Sequence, residues 1–205
     1  MAIKTFSIYV DKLFQFGIHF TFFQQQKMSE EQHTYAMIKP GYEEYWGKVI
    51  ERIIEEGLQI VRMKTMQFDN NFASQFYAEH VGKGFFGDLS GYMTSGQIVA
   101  MELAGPNAIA KWREIIGPTK KEVAVETAPN SLRALYARST TENLCHGSDA
   151  PETAAREIAL VFAEEIAEDA KMAAREAVDG AKEKVADAKE KAEQAKQKSK
   201  CCLLI

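Results

Sequence analysis

Cysteine is scarce in this 205-residue chain: three are present, and two of those, Cys201 and Cys202, are neighbours. Such a set cannot build a disulfide framework, which points to a reducing compartment. An excess of positive charge is missing as well. Lysine and arginine total 25 against 29 acidic residues, a net charge of −4, which argues against recruitment to nucleic acid by bulk charge. Local clusters of Lys and Arg can still hold phosphate whatever the total. The oiliest stretch, residues 13–26 with Phe14, Phe16, Phe20, Phe22 and Phe23, has no formal charge. It is shorter than the about 20 apolar residues that span a bilayer, and Gln15, His19 and the glutamines at 24–26 interrupt it. It also lacks the aliphatic core and small-residue cleavage site of a signal peptide.

What is present divides into four regions. Residues 1–33 form an aromatic N-terminal extension. Its period-two phenylalanines fit a strand or an extended arm, while Met28 offers a second start for an ordinary soluble beginning. Residues 34–163 have the mixed pattern of an α/β domain, with an overall apolar fraction of 46% and a charged fraction of 26%. Residues 164–200 are almost entirely Ala, Glu, Lys and Asp. Residues 201–205 read Cys-Cys-Leu-Leu-Ile.

Within the domain, residues 34–38 predict a short strand that Pro40 and Gly41 stop, leaving Lys39 at its end. Val49, Ile50, Ile53 and Ile54 lie on one face of a helix ending at Gly57. Residues 58–68 alternate as a half-buried strand. Asp69 is a good N-cap for a helix through Phe72, Phe76 and Tyr77, and a second helix is expected over 85–92. Residues 98–103 are apolar enough for a central strand. Pro106 and Asn107 open a helix with Ile109, Trp112 and Ile115 inward, and Gly117-Pro118 ends it. Residues 118–142 show no clear period beyond a turn of helix near 131–136 and are expected to be a long loop. After a strand at His146, residues 151–162 predict a helix with Pro at its first turn. This order suggests an antiparallel sheet with helices on one face, of the split β-α-β kind.

The chemistry concentrates at residues 142–149, ENLCHGSD. Histidine titrates near neutrality and serves as nucleophile or proton carrier. Gly147 lets a bulky group approach the ring of His146, and Ser148 can bond a neighbouring carboxylate. Alone, the same residues also describe an ordinary turn.

Six linked motifs raise the reading. TYAMIKP at 34–40, FYAEHVGKGFF at 76–86, YMTSGQIVAMELAG at 92–105, KWREIIGPT at 111–119, PNSLR at 129–133 and NLCHGSD at 143–149, then AAREI at 154–158, together resemble nucleoside diphosphate kinases. The resemblance implies a ferredoxin-like α/β sandwich. It also implies transfer of a γ-phosphate from a nucleoside triphosphate to a nucleoside diphosphate through a phosphorylated histidine. On that pattern His146 is the nucleophile, held by Glu157, with Ser148 beside them. Lys39, Arg113 and Arg133 bind phosphates, the arginines with bidentate geometry. Thr119 and Asn143 match positions that contact phosphate and sugar. Tyr77 lies near the nucleophile, and Phe85 is the ring on which the base stacks. Mg²⁺ arrives with ATP or another nucleotide and needs no protein cage. His80 has no counterpart with a chemical role and is read as structural, and Cys145 as packing.

The chain departs from the family in places. The turn after Lys39-Pro40 is about two residues shorter than usual, and Gly84 stands where Pro is common. Lys120-Lys121 replace the usual Asn-Pro, and the loop to Arg133 is longer, which puts the usual homo-oligomer in question. PNSLRALY resembles a divergent branch, some members of which sit in cilia or flagella with weak or no activity. The second reading of the domain is therefore an adaptor with axonemal or membrane partners.

The tail is built from strong helix formers with a thin alanine seam at four-three spacing. It reads as a coiled coil, a surface-lying helix or a solvated stalk, the last favoured because alanine buries little area. Cys202-Leu203-Leu204-Ile205 fits a prenylation signal, with Cys201 open to palmitoylation and Lys196, Lys198 and Lys200 to anionic lipid. The expected location is cytoplasmic, on the cytosolic face of a membrane or in a cilium.

Overall fold

The computed structural model describes residues 31–202, with side chains placed as far as residue 191 apart from 188 and 190. The aromatic extension expected up to residue 30 and the last three residues lie outside this range, as do the side chains of Cys201 and Cys202. The described residues divide into two compact units, one ending at Val161 and the other beginning at Phe162.

The first unit is built on four antiparallel strands in the order β2-β3-β1-β4. These are β1 (Gln32–Ile38), β2 (Gln59–Gln67), β3 (Gln97–Gly105) and β4 (Cys145–Gly147). The helices are α1 (Trp46–Glu55), α2 (Asn70–Phe76), α3 (Phe86–Met93), α4 (Ala108–Ile116), α5 (Lys121–Thr127), α6 (Leu132–Tyr136) and α7 (Pro151–Val161). Asp69 caps α2 as expected, accepting from the Phe72 N–H at 2.7 Å. The result is a ferredoxin-like α/β sandwich with an antiparallel sheet.

Helices cover both faces of that sheet, a correction to the one-face expectation. The two central strands show why: β1 is buried from Thr34 onward and β3 from Ile98 onward, without alternation. Ala36 and Ile38 share a core with Val99, Met101 and Leu103, against Val49 and Ile53 of α1 and Trp112 of α4. Tyr35 points to the other face, where its ring meets Phe76 of α2 at 5.5 Å, and α7 packs on β1. Edge strand β2 is the one that alternates, leaving Val61 and Met63 exposed.

The long loop expected over 118–142 holds two helices instead. Residues 131–136 give the expected turn, but α5 went unseen because Ala124 is its one buried residue. A single inward position has no period to detect.

The second unit is described by α8 (Ala163–Cys202), 40 residues long. Among the described residues no helix is long and apolar enough to cross a membrane.

Candidate active site

The entry into β4 sets the site. Leu144 has a φ of 68°, and the N–H of Cys145 donates to the carbonyl of Asn143 at 2.8 Å. This is a γ-turn in a region that residues other than glycine seldom adopt. Leu144 is fully buried, so packing holds the strained turn in place. β4 then pairs with β1, Cys145 opposite Ile38, His146 opposite Met37 and Gly147 opposite Ala36.

Strand alternation does the sorting. Cys145 and Gly147 turn toward the layer of α1 and α4, and His146 turns to the other face, beside Tyr35 and Phe76 with ring centroids at 5.9 and 5.4 Å. The Trp112 indole N–H donates to the His146 carbonyl at 3.0 Å. A Cβ on Gly147 would lie 2.4 Å from Trp112 Cδ1. No side chain fits there.

His146 is gripped at one nitrogen. Its Nε2 lies 3.1 Å from both carboxylate oxygens of Glu157, and the Ser148 hydroxyl donates to Glu157 Oε2 at 2.6 Å. Glu157 and Ser148 are buried, while the imidazole keeps 22% side-chain exposure toward the cleft. A carboxylate only accepts, so Nε2 carries a proton toward Glu157, which in the neutral ring leaves the lone pair on Nδ1.

Two cations lie buried nearby. Lys39 Nζ donates to the Thr141 carbonyl at 3.1 Å. Arg133 donates from Nη1 to the Gly117 carbonyl at 2.6 Å and from Nη2 to the Cys145 carbonyl at 2.8 Å. Its Nε has no partner. Burial, helped by the Arg133 charge, lowers Lys39 to about 7, and burial lowers Arg133 to about 10. Neither forms an ion pair with a carboxylate among the described residues. Uncompensated buried cations are costly alone and suit an anionic ligand.

The remaining groups surround these. Arg113 is exposed and donates to the Gly147 carbonyl at 3.4 Å. Burial, then the charge of Glu157, pushes the Tyr77 phenol above its usual range, so it stays a hydroxyl donor. Asn143 is buried and donates to the Thr140 carbonyl at 2.9 Å, with its Oδ1 unpartnered. Phe85 is 52% exposed. Thr119 is exposed at the rim. All ten residues singled out from the sequence, from Lys39 to Glu157, line one cleft of about 530 Å³, a size suited to a small-molecule ligand. Cys145 packs as expected, its thiol pushed up to about 12 by burial.

The family model of nucleoside diphosphate kinase matches residues 32–166. The chain belongs to the nucleoside diphosphate kinase family. It is an enzyme of that class, a phosphotransferase. The curated nucleoside diphosphate kinase of Listeria monocytogenes serotype 4b is 47% identical over 134 residues, 64% of this chain and 89% of that one. Among solved structures, the nucleoside diphosphate kinase of Aquifex aeolicus superposes with a TM-score of 0.63 at 40% identity, covering 64% of this chain and 95% of that one. That of Encephalitozoon cuniculi gives 0.61 at 30% identity, covering 64% and 88%.

Some lining residues of this kinase cleft escaped the sequence. His80, read as structural, lines it, stacked on Tyr77 with ring centroids at 6.0 Å and edge-on to Phe85 at 5.6 Å. Its position four residues after Phe76, on the loop that carries Phe85, was the available signal. Thr140 and Thr141 also line the cleft, and nothing in their residue types announces it.

Proposed function

We propose that this kinase transfers the γ-phosphoryl group of a nucleoside triphosphate to a nucleoside diphosphate through phospho-His146. The observation that carries the reading is the grip of Glu157 on His146 Nε2, which turns the lone pair of Nδ1 to the cleft as nucleophile. In the first half-reaction an Nδ1–P bond forms while the bond from phosphorus to the β,γ-bridging oxygen breaks, and the diphosphate leaves. In the second, a terminal oxygen of another diphosphate attacks the phosphohistidine and its N–P bond breaks. Glu157 and Ser148 keep the ring fixed through both steps.

Lys39, Arg133 and the exposed Arg113 line the cleft and supply positive charge for the phosphate oxygens, where charge spreads in transfer. Mg²⁺ enters as part of the nucleotide substrate. Asn143 lines the cleft where a sugar hydroxyl would lie, and the exposed Thr119 and Phe85 are open to phosphate or sugar and to the face of the base. Stacking reads little of the base edge, so the substrates are nucleoside phosphates of any base. Lipid on Cys202, aided by Cys201, tethers the 34–163 domain to a membrane through the 164–200 helix. The exposed edge strand β2 supports a homo-oligomer.

The test is incubation of purified protein with γ-labelled ATP and Mg²⁺, then a chase with GDP. Acid-labile label on the wild type, absent from His146→Ala and discharged into GTP, is expected. A folded, nucleotide-binding wild type that takes no label would sink the catalytic reading in favour of an adaptor module.

A further inference from the structure

The second unit carries an unpartnered surface. Successive residues of α8 turn by about 100°, which sorts the described stretch 174–191 into three faces. Ala174, Val178, Ala181 and Val185 fall on one stripe, and both valines are 54% exposed. Arg175, Lys182 and Lys189 flank it on one side, and Lys184 and Lys191 on the other. Glu176, Asp179, Glu183 and Asp187 occupy the opposite face. The sorting by sign is complete in this stretch, although lysine and acidic residues interleave in the sequence.

That arrangement selects among partners. A second copy seated stripe to stripe would bring lysine rows against lysine rows in parallel or antiparallel pairing, where like charges repel. A protein groove that takes a helix relies on large apolar anchors, and this stripe offers only alanine and valine. Adsorption to a lipid surface has other needs: an apolar strip at the headgroup boundary, basic residues along its edges and acidic ones facing water. Each lysine near an anionic surface adds attraction, which makes up for the shallow stripe. The pairs Lys182–Asp179 at 2.9 Å and Lys191–Asp187 at 2.8 Å are exposed and weak enough to exchange for lipid phosphate.

We infer that the 174–191 face of α8 binds anionic lipid surfaces by itself, lying in the plane of the headgroups.

The full chain made in bacteria, without lipid modification, is floated with vesicles of phosphatidylcholine alone or with one quarter phosphatidylserine. Binding to the anionic vesicles that falls as salt rises, with little to the neutral ones, is expected. Val178→Ser with Val185→Ser should weaken it at least about tenfold, as should Lys182→Gln, Lys184→Gln, Lys189→Gln and Lys191→Gln together. Circular dichroism confirms that the helix persists in each variant. No binding to anionic vesicles overturns the inference. So does equal binding by wild type and both variants, which would place the lipid contact elsewhere. Polyglutamate binding as tight as vesicle binding and indifferent to the valine changes also overturns it, reducing the face to charge alone.

Discussion

Arg133 sits in the field of Lys39, both buried in the cleft wall, and neither forms an ion pair with a carboxylate among the described residues. Burial and like charge oppose the protonated lysine, and a bound phosphate would reverse the balance.

Proton uptake should therefore accompany nucleotide binding. With Lys39 lowered to about 7, part of the population is neutral above neutrality, and phosphate restores the charge. Calorimetry in buffers of different ionisation heat should show uptake growing toward one proton between pH 7 and 9. Uptake that is absent, or unchanged in Lys39→Met, would count against this account.

The same group bears on stability. Its folded-state value lies below the unfolded 10.5, so the unfolded chain binds more protons between about 7 and 10.5. The cost of the buried charge is full below pH 7 and fades as pH rises through that window. Lys39→Met should therefore stabilise the fold on the order of 2 kcal/mol at pH 6–7 and by little near pH 10.5. Urea unfolding at both pH values measures the difference, and a gain independent of pH would refute it.

Glu157→Gln should keep the shape of the site while losing control of the imidazole tautomer. An amide can donate to Nε2 and leave the proton on Nδ1, where the lone pair is needed. Single-turnover labelling by ATP is expected to slow by roughly 10²-fold or more, with nucleotide affinity nearly unchanged. Unaltered labelling would remove Glu157 from the mechanism.

Phe85→Ala should weaken ATP, GTP and CTP alike, by roughly ten- to a hundredfold in affinity. A loss confined to one base would mean that the ring reads identity and does not simply stack.

Gly147→Ala should destabilise the protein by about 1–3 kcal/mol through overpacking, because its Cβ would meet Trp112 Cδ1 at 2.4 Å. Denaturant titration tests this, and Trp112→Leu in the same chain should recover part of the loss.

Much of this fold and cleft could be read in advance, and the reason is local. Asp69 as a cap, the Pro and Gly that stop elements, and the apolar period of α4 are decided by neighbours in the chain. The ten cleft residues came forward together through the resemblance of the linked motifs, since side chains such as Tyr77, Phe85 and Thr119 take on a role only with that pattern. What stayed hidden depends on distant partners. α5 has one buried residue and no period. The two-faced cover of β1 and β3 shows only once α2 and α7 fold back over the sheet. The positive-φ position of the turn at 143–145 is Leu144, not the glycine or asparagine that normally takes such a φ, because buried packing imposes it. His80 is the exception, since the rings it meets, Tyr77 and Phe85, are close to it in the chain.

The bond from the Trp112 indole to the carbonyl of His146, with Gly147 leaving no slack beside it, ties His146 to α4. The next residue on that helix is Arg113, so the group proposed to attack phosphorus and one proposed to receive its charge are mounted on a single bracket. A substrate entering the cleft has to adjust itself to that fixed spacing, since the spacing cannot adjust to it.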